Sequence, residues 1–183
     1  MLKGSFELIG DKSISHRAIM FSSISKGKNK ISNFLMGEDC LSTVNCFRKM
    51  GVDIEINNNE VYVTGRGLRG LNSPLEILDV GNSGTTIRLM MGILAGQNFN
   101  TTIIGDESIA KRPMKRVTAP LREMGAIING KDNGNLTPIT IQGGNLTHID
   151  YNMPVSSAQV KSALILASLY GDDTSYIHEK SKS

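Results

Sequence analysis

The sequence predicts an α/β fold of the α+β type, made of repeated βαβαββ units whose helices pack inside mixed sheets. Three observations carry that prediction. "GDKSISHR", "GNSGTTIR" and "PVSSAQVK" each place a base seven positions after a turn former, so that Arg17, Arg88 and Lys161 stand 71 and 73 residues apart. Each base opens an apolar stretch that ends in glycine, at Gly27, Gly96 and Gly171. Between these openings lie amphipathic runs followed by pairs of alternating segments, the signature of a helix leading into a β-hairpin.

The first unit spans about residues 8–70. An apolar, strand-like run ends in Gly10 and Asp11, and "KSISHRAIM" continues as a helix. Leu41, Val44, Phe47 and Met50 recur every three residues and stop at Gly51, which reads as a second helix with a glycine C-cap. "VDIEI", a turn at Asn57 to Asn59, and "VYVTG" then form a hairpin. The second unit, about residues 75–144, repeats this order. In it "VTAPLREMG" precedes "AIING", a polar turn from Asp132 to Asn135, and "PITIQGG", with Met124-Gly125 echoing Met50-Gly51. The third unit, about residues 149–183, is incomplete: "VKSALILASLYG" and the strand-like "TSYIHE" are followed only by "KSKS". The whole of residues 1–183 reads as one lobe.

Composition narrows the function. The chain has 183 residues, 39% of them apolar and 20% charged, enough to bury a sizeable core. No run approaches the twenty or so apolar residues of a membrane span, and the N-terminus lacks signal-peptide or transit character, so the expectation is a soluble, cytoplasmic protein with no membrane partner. Twenty Lys and Arg against seventeen Asp and Glu give a net charge of +3, scattered except around Lys111, Arg112, Lys115 and Arg116. With 5% aromatics and no Trp there is little to stack bases on, which argues against nucleic acid. Cys40 and Cys46 lie close together in an apparent helix, and His16, His148 and His178 are dispersed, so no metal site is expected.

The three strand–turn–helix openings point to a small anion. Helix N-termini present unpaired N–H groups and the positive end of the dipole, and Lys12 and Arg17 add full charges one turn apart. The alternatives are plain. Ser13, Thr85 and Ser156 also read as N-caps, Arg17 and Arg88 as solvated helix charges, and "KRPMKR" as an exposed basic turn with Pro113 at the first position of a helix.

Taken in order, "GDKSISHRAIM", "DVGNSGTTIRLMMGIL", "GDESIAKRPMKRVTAPLREMGA" and "PVSSAQVKSALILA" resemble the successive motifs of the N-terminal domain of the 5-enolpyruvylshikimate-3-phosphate synthases, over residues 3–183. "SSAQVKS" is more similar to the glyphosate-tolerant class of that family than to the sensitive class. The resemblance implies the two-lobed enolpyruvyl transferase fold. It also implies transfer of the enolpyruvyl group of phosphoenolpyruvate to the 5-hydroxyl of shikimate 3-phosphate, in the synthesis of chorismate and aromatic amino acids. By the same resemblance Lys12, Ser13, Arg17, Ser157 and Gln159 hold shikimate 3-phosphate, while Lys12, Gly84, Arg112 and Gln159 hold phosphoenolpyruvate. Ser156 and Ser183 match the pattern less closely. Phosphate and carboxylate recognition by Lys and Arg needs no cofactor.

The UDP-N-acetylglucosamine enolpyruvyl transferases share the three-unit plan. They usually carry a reactive Cys in the loop that reads "GDESIAKRPM" here, where no Cys stands between Gly105 and Met114. In the shikimate family the catalytic acid and base come from a second lobe, so this chain is expected to bind substrates weakly, to lack turnover, and to have the C-terminal lobe as its partner. A ligand-free folding or interaction fragment is the alternative from another class. An open third unit also leads us to expect self-association.

Overall fold

The computed structural model describes residues 3–5, 8–181 and 183. In the first unit, helix α1 (Lys12–Ile24) leads to strand β1 (Lys26–Ile31), helix α2 (Glu38–Lys49) and the hairpin β2 (Asp53–Asn57) and β3 (Glu60–Arg66). The hairpin turn places Asn58 in the left-handed region, where a short amide side chain is tolerated. These strands form a three-stranded antiparallel sheet in the order β1-β3-β2.

The second unit keeps the order and adds one-turn pieces. Strand β4 (Leu78–Asp79) precedes helix α3 (Gly84–Ala95) and strand β5 (Asn100–Ile104). The short turn α4 (Glu107–Ala110), helix α5 (Lys115–Glu123), strand β6 (Ile127–Gly130), the turn α6 (Lys131–Gly134) and strand β7 (Leu136–Gln142) follow. Asp132 and Asn133 sit in the left-handed region, so the polar turn expected there is present. The sheet is mixed, in the order β4-β5-β7-β6 with β4 parallel to β5. The third unit consists of strand β8 (Asp150–Asn152), helix α7 (Ala158–Ser168) and strand β9 (Tyr176–His178), with β8 parallel to β9. The β4-α3-β5 and β8-α7-β9 crossovers are thus the same unit used twice.

One expected strand does not form among the described residues. Leu8–Gly10 form no ladder, Leu8 and Ile9 are exposed, and residues 6 and 7 of the same run lie outside the described residues. The Asn33 amide donates to the Leu8 carbonyl instead, at 3.2 Å. A Cβ on Gly10 would lie 2.1 Å from the Asn33 carbonyl, so only glycine allows this approach. The first sheet is therefore wholly antiparallel among the described residues, where a mixed one was expected.

The sheets bury one face each. In β7 alternate residues are buried, with Ile139 and Ile141 inward. The helices lie on that inner side, as the pattern predicts. Helix α3 is apolar nearly all round and is buried along its length, which is what a central helix needs. Its packing on α7 is close: a Cβ on Gly92 would stand 2.1 Å from the Ala163 carbonyl oxygen, so the two backbones meet. Helix α2 packs on α1 and α3, and α5 packs on α3 and α7. Among the described residues no further helix sits between α7 and α1, and Ile14, Phe21, Ile165 and Leu169 are exposed.

Candidate functional site

The site is built from the N-terminal turns of α1, α3 and α7. Their N-caps are Asp11, Ser83 and Ser157, whose side chains accept from Ile14 N (2.7 Å), Thr86 N (3.2 Å) and Val160 N (3.4 Å). The expected caps Ser13, Thr85 and Ser156 are displaced by one or two positions, because the capping residue must hold extended backbone just outside the first turn. Ser156 instead bonds to Ser181. Pro113 likewise precedes α5, which starts at Lys115 after Met114.

At the N-terminus of α3 two guanidinium groups meet. A Cβ on Gly84 would lie 2.9 Å from Arg112 Nη1 and 3.0 Å from Arg88 Nη1, so both cations reach over the same bare backbone position. Neither arginine has an ion-pair partner among the described residues. Arg88 is half-buried, and burial, reinforced by the charges of Arg112 and Arg116, holds its pKa below the ordinary arginine value. Hydrogen bonding from the Ile109 backbone lowers the Asp106 pKa most and the Arg112 charge lies near enough to help, but among the described residues no carboxylate pairs with either guanidinium. Two like charges at a helix N-terminus form a seat for an anion.

Gln159 joins α7 to this seat. Arg88 Nη1 donates to Gln159 Oε1 (2.8 Å), Gln159 Nε2 donates to Thr85 Oγ1 (3.0 Å), and Arg88 Nη2 reaches the Pro113 carbonyl (3.3 Å). The amide is thus oriented at both ends.

The N-terminus of α1 differs. Lys12, the first helical residue, is paired with Asp39 of α2. Below it runs a buried chain in which His16 Nδ1 meets Thr43 Oγ1, Thr43 meets Thr86 Oγ1, and Thr86 donates to Ser83 Oγ, each at 2.7 Å. Thr86 also reaches the Asp39 carbonyl at 3.4 Å. This chain ties the first turns of α1 and α3 through α2. Burial pushes His16 down to about 4, with Lys12 and Arg17 adding and Asp39 opposing, so the imidazole is neutral at pH 7. Its Nε2 has no hydrogen-bond partner among the described residues. Cys40 and Cys46 are buried in α2, and burial raises their thiols to about 11 and about 12. Both are inert as nucleophiles at neutral pH.

The EPSP synthase (3-phosphoshikimate 1-carboxyvinyltransferase) family model matches residues 1–183. The chain belongs to the EPSP synthase family. It is 60% identical over 179 residues to the 3-phosphoshikimate 1-carboxyvinyltransferase of Alkaliphilus metalliredigens, covering 98% of this chain and 42% of that protein. To the Bacillus cytotoxicus protein of the same name it is 59% identical over 182 residues, covering 100% and 43%. The structure of EPSP synthase from Acinetobacter baumannii superposes with a TM-score of 0.96 at 44% identity, over 98% of this chain and 41% of that one. The chain therefore spans about two fifths of the length of these relatives.

Within this chain the residues singled out from sequence separate into two groups. Gly84, Arg112 and Gln159 come together, and Ser157 caps the helix that carries Gln159. The Lys12 side chain is linked to the same region through Asp39, whose carbonyl accepts from Thr86. Arg17 is half-buried, with no ion-pair partner among the described residues, and Ser13 is exposed. Ser183 bonds to Glu179, which also pairs with Lys161. Arg88 and Thr85 are site residues that sequence reasoning passed over as a solvated charge and a cap. The one available signal for Arg88 was its place in the repeated motif.

Proposed function

We propose that this chain is the substrate-holding lobe of a 3-phosphoshikimate 1-carboxyvinyltransferase, acting in the synthesis of chorismate and the aromatic amino acids. The observation that carries this reading is the pair Arg88 and Arg112 over Gly84, two guanidinium groups at a helix N-terminus with no ion-pair partner among the described residues. A phosphate or carboxylate of phosphoenolpyruvate fits that seat, bound in fork geometry by Arg112 and approached closely by the backbone at Gly84. Gln159, held between Arg88 and Thr85, lies between this anion and the second substrate. Shikimate 3-phosphate occupies the side bounded by Lys12, Ser13, Arg17 and Ser157, and Lys12 exchanges part of its pairing with Asp39 for the ligands.

In the whole enzyme the 5-hydroxyl oxygen of shikimate 3-phosphate bonds to C2 of phosphoenolpyruvate. Its proton leaves to a base as C3 takes one from an acid, and the adduct then expels phosphate with loss of a proton from C3. The seat described here supplies cations and amides. The acid and base belong to the other three fifths of the relatives' length, and closure of that lobe expels water.

The test is a titration of shikimate 3-phosphate into this chain, followed by amide shifts at Ser13, Arg17 and Ser157, with shikimate as control. Saturable shifts with the phosphate ester alone are expected. Equal shifts with shikimate would refute the assignment of the phosphate site. Phosphate release by the chain alone, on addition of both substrates, would refute the division of labour between lobes.

A further inference from the structure

A pocket adjoins the arginine pair. A pocket of about 440 Å³ opens at the junction of the second and third units, between α5 and the β8–α7 connection. That volume falls in the range of small-molecule sites. Ala119, Met153, Val155 and Val160 give it apolar walls, and the Tyr151 ring supplies a flat surface. Its positive charge comes from Lys115 and Arg116, neither of which has an ion-pair partner among the described residues. The Asn135 amide on its lining accepts from Lys115 N and donates one of its two N–H groups to Asp132. The groups left for a ligand are therefore two cations, one amide N–H, an aromatic face and aliphatic walls. Tyr151 is half-buried, and its hydroxyl has no hydrogen-bond partner among the described residues.

We propose that this pocket binds a small aryl carboxylate, its ring against Tyr151 and Val155 and its carboxylate on Arg116 and Lys115. Arg116 is the stronger partner, because its fork matches a carboxylate with two hydrogen bonds. An aryl ring fills the apolar volume that inorganic phosphate or acetate leaves empty, so the pocket distinguishes an amphipathic anion from a simple one. The pocket adjoins the seat over Gly84 but is lined by other residues: Pro113 lies on its wall, Arg88 bonds to the Pro113 carbonyl, and the Arg116 charge is felt at Arg88. The segment from Met153 to Val155 forms the opposite wall and runs directly into Ser156 and Ser157.

The test uses 3-phenylpropionate as probe, titrated into this chain with amide shifts as readout. The expected result is a saturable shift at Tyr151, Val155 and Val160 that inorganic phosphate does not compete away. The neutral 3-phenylpropionamide should bind at least tenfold more weakly, and acetate should give no saturable shift there. Arg116→Gln should weaken the probe about tenfold, and Ala119→Leu, which fills the apolar floor, should weaken it further. Val155→Ser, at an exposed wall position, repeats the test of the apolar wall without touching the core. Shifts confined to Arg88 and Arg112 and displaced by phosphate, equal binding of the neutral amide, or no saturation up to about 20 mM would each overturn the proposal.

Discussion

The N-termini of α1 and α3 open the same repeated unit and treat their cations in opposite ways. At α1, Lys12 is neutralised by Asp39 from the neighbouring helix. At α3, Arg88 faces another arginine and no carboxylate. The third unit sides with the first, since Lys161 pairs with Glu179. Arg17, the base of the first opening, also lacks an ion-pair partner among the described residues, but only at α3 do two like charges meet over one backbone position, and that opening is where an outside anion gains most. The two kinds of opening are nevertheless built on one support, the chain from His16 through Thr43 and Thr86 to Ser83.

Breaking that shared support has the largest expected effect. The folded pKa of His16 lies near 4, below its ordinary 6.5, so between those values the unfolded chain takes up a proton that the folded chain refuses. Stability from this group is complete above pH 6.5 and is lost as pH falls toward 4, by about 3 kcal/mol at the lower end. In His16→Asn this part of the acid limb should vanish. Urea denaturation at several pH values reads it directly, and identical slopes in the two chains would exclude the role.

Filling the open seat comes next. In Gly84→Ala the new Cβ meets only the flexible ends of Arg88 and Arg112, so the chain should fold while the guanidinium groups are pushed apart. Affinity for phosphoenolpyruvate is expected to fall tenfold or more, with thermal stability unchanged or raised by roughly 0.5 kcal/mol. A parallel loss of both would mean that the close approach is structural.

Removing the uncompensated charge should separate stability from binding. Arg88→Met relieves repulsion from Arg112, and the ligand-free chain is expected to gain roughly 0.5 kcal/mol while losing about tenfold in anion affinity. Chemical denaturation and a phosphoenolpyruvate titration on the same sample decide it, and a destabilised variant would show that the bond to Gln159 outweighs the repulsion.

The smallest effect is expected where the cation is already paired. Asp39→Asn frees Lys12, whose partner is a partly exposed carboxylate, so stability should change by less than about 0.5 kcal/mol. Affinity for shikimate 3-phosphate should rise two- to threefold, roughly, as one charge is released to the ligand. A fall in affinity would make Asp39 a substrate-orienting group.

Much of this arrangement was legible in the sequence, for identifiable reasons. The hairpin β2–β3 and the helix before it follow from alternation and a glycine stop, both local signals. The repeat revealed the strand–turn–helix openings and predicted mixed sheets, and the parallel pairing of β4 with β5 and of β8 with β9 came from the structure. Caps were misplaced by one or two residues because Ser, Thr and Asp crowd every opening and only the backbone selects among them. The run at Leu8 looks like a strand by composition, but Asn33, 25 residues away, satisfies it differently. Arg88 could not be decided locally, because Ile87 and Leu89 flank it and its partner Gln159 lies 71 residues on. The thread from His16 to Thr43 and Thr86 joins three helices and leaves no periodic trace.

Helix α3, apolar nearly all round and seated against α7 at Gly92, has a consequence for the growing chain. At ordinary synthesis rates of about 5–20 residues per second, on the order of ten seconds separate the delivery of α3 from that of Tyr170 at the far end of its partner. During that interval its Met and Leu side chains have no α7 to lie against. The nascent protein therefore carries, at its centre, a segment that either folds late or is held by a chaperone, and codon choice between Ala95 and Tyr170 sets how long that exposure lasts.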